Sequence, residues 1–258
     1  MSDLIYRPLI EDMEWSYSRI TSYNDCPYKW FLKYIKKYPE EEQFFSSYGS
    51  LIHKIIDKYY KNEIEQKDMC LDFLLNFTEC VKGSKPQESV VQKYIDSGVS
   101  YFKNFKPFPY NTLATEEQVK FEIDGLQFQG IIDYIGEKDG NLCIVDNKSR
   151  NLKPRSKRKK QTRKDEELDY MLRQLYLYSA AVKQKYKQFP SKLCFNCFRN
   201  GIFIEEPFNE DKYYENIEWI KHTIDNITNS TEFKPNIDYF KCNYLCGLQN
   251  ECCYYQEG

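Results

Sequence analysis

Between residues 46 and 60 the apolar positions Tyr48, Leu51, Ile52, Ile55, Ile56 and Tyr59 recur three and four apart, which marks the buried face of an α-helix. Similar periods predict helices over residues 67–81 and 88–103. The period then shortens to two. Val119, Phe121 and Ile123 alternate with polar residues, and Asp124-Gly125 signals a turn. Residues 128–135 and 142–148 read as strands flanking the tip Lys138-Asp139-Gly140-Asn141. A helix over 165–187 follows, then strands over 193–198 and 202–206 around Asn200-Gly201, and a last helix over 211–229. Upstream, residues 16–37 mix aromatic and basic side chains. They predict two short helices broken at Asp25-Cys26-Pro27, because proline suits a first helical turn. Helices, a small sheet, a helix, more sheet and a helix make an α+β (mixed α/β) fold.

At 258 residues the chain can bury one full core, and a single domain over 1–258 is expected. Within it, 16–110 is mostly helical, 111–206 holds the sheet and its helix, and 207–258 is a helix with a Cys-rich tail. An aromatic content of 17% fits a packed globule rather than a disordered chain. No apolar run reaches a membrane span and the N-terminus lacks a signal-peptide pattern, so a cytoplasmic location is expected. Abundant Lys, Tyr, Asn and Ile suggest an AT-rich genome, bacterial or phage.

Two local features change this picture. The net charge is only −2, yet ten Lys or Arg and no acid fall between Lys148 and Lys164. Lys153, Arg155, Lys157, Arg158, Lys159 and Lys160 form its centre, and such a run is either a solvated loop or a contact for a polyanion such as DNA. The ten cysteines of a cytosolic chain point to metal or cluster ligation rather than disulfides. Cys26 stands alone near the start, while Cys242, Cys246, Cys252 and Cys253 crowd the end. Cys194 and Cys197 would point to opposite faces of a strand and chelate poorly, and Cys70, Cys80 and Cys143 read as ordinary buried cysteines.

The hairpin carries the candidate chemistry. A two-residue turn at Asp139-Gly140 pairs Lys138 with Asn141 and, counting back, sets Asp133 opposite Asp146, with Cβ atoms roughly 5 Å apart. Lys148 then shares a face with Asp146. Facing carboxylates repel unless a cation lies between them, and Mg²⁺ or Mn²⁺ would satisfy both. A plain ion pair on a wet sheet face is the competing reading. Ile131, Ile132, Ile144 and Val145 make both faces of these strands apolar, so charges there are costly unless used.

Gly130-Ile131-Ile132-Asp133 followed by Ile144-Val145-Asp146-Asn147-Lys148 resembles the D…(D/E)xK core of the PD-(D/E)XK nuclease superfamily. It is most similar to the RecB-type branch, which includes the AddB nuclease domain and the CRISPR-adaptation nucleases. Ser18-Arg19-Ile20-Thr21-Ser22-Tyr23 with Cys26-Pro27-Tyr28 resembles that branch's N-terminal SxSxxxxYxxCP motif. Gly49-Ser50-Leu51-Ile52-His53 resembles its GxxxH, Thr115-Glu116-Glu117 its extra acidic position, and Gln174 to Tyr178 its QxxxY helix. The resemblance implies a restriction-endonuclease-like core that cleaves phosphodiester bonds in single-stranded DNA or at duplex ends. It further implies a helicase or recombination partner.

By the same resemblance, Asp133, Asp146, His53, one or both of Glu116 and Glu117, and the backbone carbonyl of Asn147 would bind Mg²⁺ or Mn²⁺. His53 lies off the apolar stripe of its helix, consistent with a ligand. Lys148 would be catalytic, with Gln174 and Tyr178 positioning it or the DNA. The residue between acid and lysine is usually apolar or aromatic in this family; Asn147 departs from that. Cys26, Cys242, Cys246 and Cys252, with Cys253 as alternative to Cys252, would hold a [4Fe–4S] cluster, or else Zn²⁺. That site would staple a helical lobe to the tail. Two other readings stay open: a non-catalytic DNA-binding subunit, and a Zn²⁺-bearing scaffold.

Overall fold

A computed structural model of the chain describes residues 6–255. The first part is helical: α1 (Arg7–Glu11), α2 (Tyr17–Asp25) and α3 (Pro27–Trp30), which continues as a π-helical turn over Phe31–Ile35. The break between α2 and α3 falls at Cys26, whose extended backbone (φ −160°) precedes Pro27 as the ring of a proline requires. Three longer helices follow, α4 (Phe44–Tyr60), α5 (Met69–Cys80) and α6 (Glu88–Lys103). They close around Phe44, Tyr48, Ile52, Ile55, Phe73 and Phe102, which takes in Tyr48, Ile52 and Ile55 of the stripe read from the sequence.

Next come β1 (Asn111–Ile123), β2 (Leu126–Lys138) and β3 (Asn141–Lys148), then α7 (Arg163–Tyr186), β4 (Lys192–Cys197), β5 (Ile202–Pro207), α8 (Glu210–Thr228) and the short α9 (Tyr239–Tyr244). The sheet runs β1-β2-β3-β4-β5, antiparallel throughout except for the parallel pair β3–β4. A parallel pair needs a long crossover, which α7 supplies. Asp139 (φ 53°) and Gly140 (φ 78°) both take left-handed backbone, as a two-residue type I′ turn demands, and the ladder runs from Lys138↔Asn141 as expected.

One face of the sheet packs Ile144, Leu193 and Phe195 against Leu175 of α7 and Ile220 of α8. The opposite face packs Cys143, Val145 and Cys194 with Tyr134 and Phe108 under the helical lobe, through Tyr60. Cys194 and Cys197 thus fall in cores on opposite faces. β1 begins at Asn111, ahead of the alternating positions Val119, Phe121 and Ile123, since its first three residues are exposed and need no apolar alternation. Two expectations are corrected. Ile131 is 46% exposed, so the sheet end is open on that side. Cys70 and Cys80 are only half-buried. Among the described residues no helix is long and apolar enough to cross a membrane.

Candidate active site

The β2–β3 ladder stops at Tyr134↔Val145. Asp133 and Asp146, expected as the next pair across it, are not joined through the backbone. Instead Asp133 Oδ2 accepts the backbone N–H of Asn147 at 2.7 Å, so a carboxylate takes the place of a ladder carbonyl. On the other side Thr115↔Tyr134 and Glu117↔Ile132 pair, while Glu116 between them is skipped and takes φ 46°. That region disfavours a side-chain-bearing residue, and strain of this kind persists where the surroundings hold it. The kink also breaks the strand's alternation. Ile132 packs on the α7 side and Tyr134 on the lobe side, although they are two residues apart.

The distortion turns Glu116 and Asp133 toward His53 of α4. His53 Nδ1 lies 3.4 Å from Asp133 Oδ2 and 3.8 Å from Glu116 Oε1, and Nε2 lies 3.0 Å from the Asn147 carbonyl. Ligand atoms of His53, Glu116 and Asp133 all fall within 4.8 Å of one another. Burial pulls the His53 pKa down, but Asp133, Glu116 and Asp146 outweigh it and lift it to about 9. Burial pushes the Asp133 carboxyl up, against the pull of His53 and with the Asp146 charge adding to the rise. The carboxylates thus favour the charged form of His53 when no other cation lies among them. Glu117 points the other way, to an ion pair with Lys185 of α7, so the structure brings Glu116 and not Glu117 to the cluster.

Asp146 is 4% exposed and shares its face with Lys148. Lys148 Nζ stands 2.8 Å from Asp146 Oδ2, but its aligned hydrogen bond goes to Gln174 Oε1 at 2.7 Å. The Lys148 ammonium is thus the close charge partner of Asp146 Oδ2, without a well-directed hydrogen bond between them. A buried carboxylate held by a charge contact, beside two more carboxylates, is a donor set suited to a hard divalent cation. The residues present fit such an ion.

The sequence profile of the PD-(D/E)XK nuclease superfamily matches residues 14–253. The chain belongs to that superfamily. Its fold is shared with the crystal structure of a candidate exonuclease from Eubacterium rectale, at 12% identity, a TM-score of 0.51, and coverage of 91% of this chain and 87% of that one. A second crystal structure, of SSO0001, aligns over 93% of this chain and 96% of that one at 13% identity, with a TM-score of 0.30 too low to carry an argument. No curated protein sequence matches.

In this nuclease Tyr178 lies one turn beyond Gln174 on α7, buried, its phenol pushed up to about 12 by burial and so neutral. A Cβ at Gly130 would come within 2.6 Å of Tyr178 Cε1, so glycine lets β2 and α7 approach this closely. Asn147 turns its side chain the other way. Asn196 Nδ2 donates to Asn147 Oδ1 and to Tyr101 OH, both at 2.7 Å. This buried relay from β3 through β4 to α6 went unread in the sequence, where an Asn inside the apolar run 193–198 was its signal.

An open groove runs along α4 from Phe45 past Gly49, Ser50 and Lys54 to His53 and Glu116, with Ser149 on its rim. Beyond Ser149 the basic loop is shaped from below by Asp165. Its carboxylate accepts from Ser156 N and Oγ and from Thr162 N and Oγ1, at 2.7–2.8 Å. Lys153, Lys157, Arg158, Lys159 and Lys160 are exposed. Arg155 departs from the expectation of a free DNA contact. It bonds Asp169 at 2.7 Å and Glu206 at 2.8 Å, because acids of α7 and β5 converge on it.

Outside the catalytic groove, Cys26, Cys242, Cys246 and Cys252 line one cavity between α3 and the tail. Cys253 is exposed, with Sγ 3.2 Å from Tyr28 OH, so the cavity takes Cys252 rather than Cys253. Cys26 Sγ accepts the backbone N–H groups of Lys29 and Asn236, both at 3.4 Å.

Proposed function

We propose that the chain is a divalent-metal-dependent deoxyribonuclease that degrades DNA from an end, in recombination, repair or related processing in a bacterial or phage-infected cytoplasm. The observation that carries this reading is the convergence of Glu116, Asp133 and His53 within reach of one ion, with the buried Asp146 carboxylate and the Lys148 ammonium paired beside them. His53, Glu116, Asp133, Asp146 and the Asn147 carbonyl would hold Mg²⁺ or Mn²⁺, which when bound polarises a phosphate oxygen and acidifies a water. An imidazole among carboxylates favours Mn²⁺ relative to the oxygen-seeking Mg²⁺. Lys148, aimed by Gln174, supplies a fixed positive charge where negative charge grows on the phosphate in the transition state. Tyr178, fixed against Gly130, closes the α7 side of that position.

The exposed basic residues Lys153, Lys157, Arg158, Lys159 and Lys160 neutralise phosphates of the bound DNA and make binding salt-sensitive. Cys26, Cys242, Cys246 and Cys252 hold an iron–sulfur cluster that staples the N-terminal helices to the tail. Four thiols around one cavity are also a ligand set that a single Zn²⁺ accepts, and metal analysis separates the two.

Action from an end is supported by the shared fold with the Eubacterium rectale candidate exonuclease. The test is digestion of linear and covalently closed circular DNA of one sequence with Mn²⁺. Linear DNA should be consumed and circles spared. Cutting of closed circles at the same rate would make the enzyme an endonuclease.

A further inference from the structure

The tail leaves aromatic surface open at the mouth of the catalytic groove. Phe240, in the first turn of α9, is 51% exposed. The Phe240 ring lies between Phe45 (centroids 5.8 Å apart) and Tyr244 (5.4 Å), and Phe45 is itself the first residue of the groove that leads to His53. From Phe45 to His53 is two turns of α4, about 12 Å, or the length of three to four nucleotides at the ~3.4 Å spacing of a stacked strand.

What lines that distance suits a sugar-phosphate backbone. Ser50 and Lys54 are exposed, and a side-chain carbon placed at Gly49 would meet nothing within 4 Å, so the floor is low and open. Lys54 has no carboxylate within ion-pair distance among the described residues. Aromatic faces at the entrance, then a hydroxyl and a free ammonium, then the carboxylate cluster are the parts of a single-strand track: bases stack on rings while charge follows the backbone. A duplex keeps its base faces inside and gives such rings nothing to stack on. An aliphatic docking patch for a protein would gain nothing from being continuous with a catalytic groove.

We propose that Phe240 forms a stacking ledge for the unpaired bases of a single-stranded DNA end, which the α4 groove leads to the cluster at His53 and Asp133. The inference rests on the nuclease reading and names its substrate as the single strand. It also gives the cysteine-bound tail a task beyond holding the fold, since α9 lies inside that segment.

The test measures binding by fluorescence anisotropy, with protein prepared without oxygen and carrying Lys148→Ala to prevent cleavage. The probes are a short labelled oligothymidylate and a blunt hairpin duplex. Adding Phe240→Ala should weaken oligothymidylate binding by roughly 5- to 150-fold, and leave the duplex unchanged. Phe240→Tyr, which keeps a ring, should bind as the parent does. Independently of any variant's folding, the parent should bind a strand with abasic sites at the third and fourth nucleotides as weakly as the Phe240→Ala variant binds the intact strand. Equal loss for both DNAs, no loss for either, or indifference to the abasic sites would overturn the ledge while leaving the nuclease intact. A parent that bound neither DNA would remove the nuclease reading itself.

Discussion

Replacing Gln174 with leucine isolates the positioning of Lys148. Gln174 Oε1 accepts from Lys148 Nζ at 2.7 Å, while the same ammonium stands 2.8 Å from Asp146 Oδ2. Leucine keeps most of the volume and removes the acceptor. The ammonium then aligns on Asp146 Oδ2 alone and, on the proposed reading, leaves the place where phosphate charge would develop. A hydrogen bond to a charged group is worth about 1.5–3 kcal/mol, and if that whole amount is expressed in the transition state kcat falls about 10- to 150-fold. The Lys148 side chain is only 17% exposed, below the groove, so KM for DNA should hardly move. Initial rates on end-labelled DNA with saturating Mn²⁺ would be compared for wild type, Gln174→Leu, Lys148→Ala and the double variant. Because Gln174 acts through Lys148, the double variant should be no slower than Lys148→Ala alone. Wild-type rates for Gln174→Leu, or losses that multiply in the double variant, would refute this account of Gln174.

Three further outcomes follow from the geometry. Gly130→Ala sets a carbon 2.6 Å from the Tyr178 ring, an overpacking of about 1–3 kcal/mol that should lower Tm by about 2–4 °C per kcal/mol and slow cleavage; an unchanged melt with full activity would contradict the contact. Hydrogen bonds from Ser156 and Thr162 hold the Asp165 carboxyl well below the usual carboxylate range. Since its folded pKa is depressed, its contribution is complete above the unfolded value near ~3.9 and fades as pH falls through the folded one. Denaturation midpoints of wild type and Asp165→Asn should therefore differ at neutral pH and converge in acid, and a gap that ignored pH would refute the assignment. Cys26→Ser should lose iron and acid-labile sulfide while Cys253→Ser keeps both; stoichiometric zinc in the wild-type protein would replace the cluster with a Zn²⁺ site.

Local rules made much of the fold legible. The stripe from Tyr48 to Tyr59 and the Asp139-Gly140 turn are set by residues within a few positions of one another, and both elements form where the pattern places them. The cluster was readable in its members but not in its geometry. Whether Glu116 or Glu117 faces inward depends on an irregularity at Leu113 and a left-handed backbone at Glu116, and no nearby residue type demands either. The break of the ladder at Asp133, where a carboxylate captures the Asn147 N–H, is equally a tertiary outcome. Asn196 and Tyr101 meet Asn147 only because α7 carries the chain across to a parallel strand, a pairing without local sequence marks. Arg155 looks like its basic neighbours in sequence and differs only in the acids that the fold brings to it.

The central claim is that the site around Asp133, Asp146 and Lys148 cleaves DNA with a divalent metal. Its most direct test is degradation of end-labelled single- and double-stranded DNA by wild type and Lys148→Ala, purified without oxygen, with Mn²⁺, with Mg²⁺ and with chelator. The account predicts cleavage by wild type that requires the metal and is lost in Lys148→Ala. Tight DNA binding without cleavage by either protein, on either substrate and with either metal, would contradict it and leave a DNA-binding subunit.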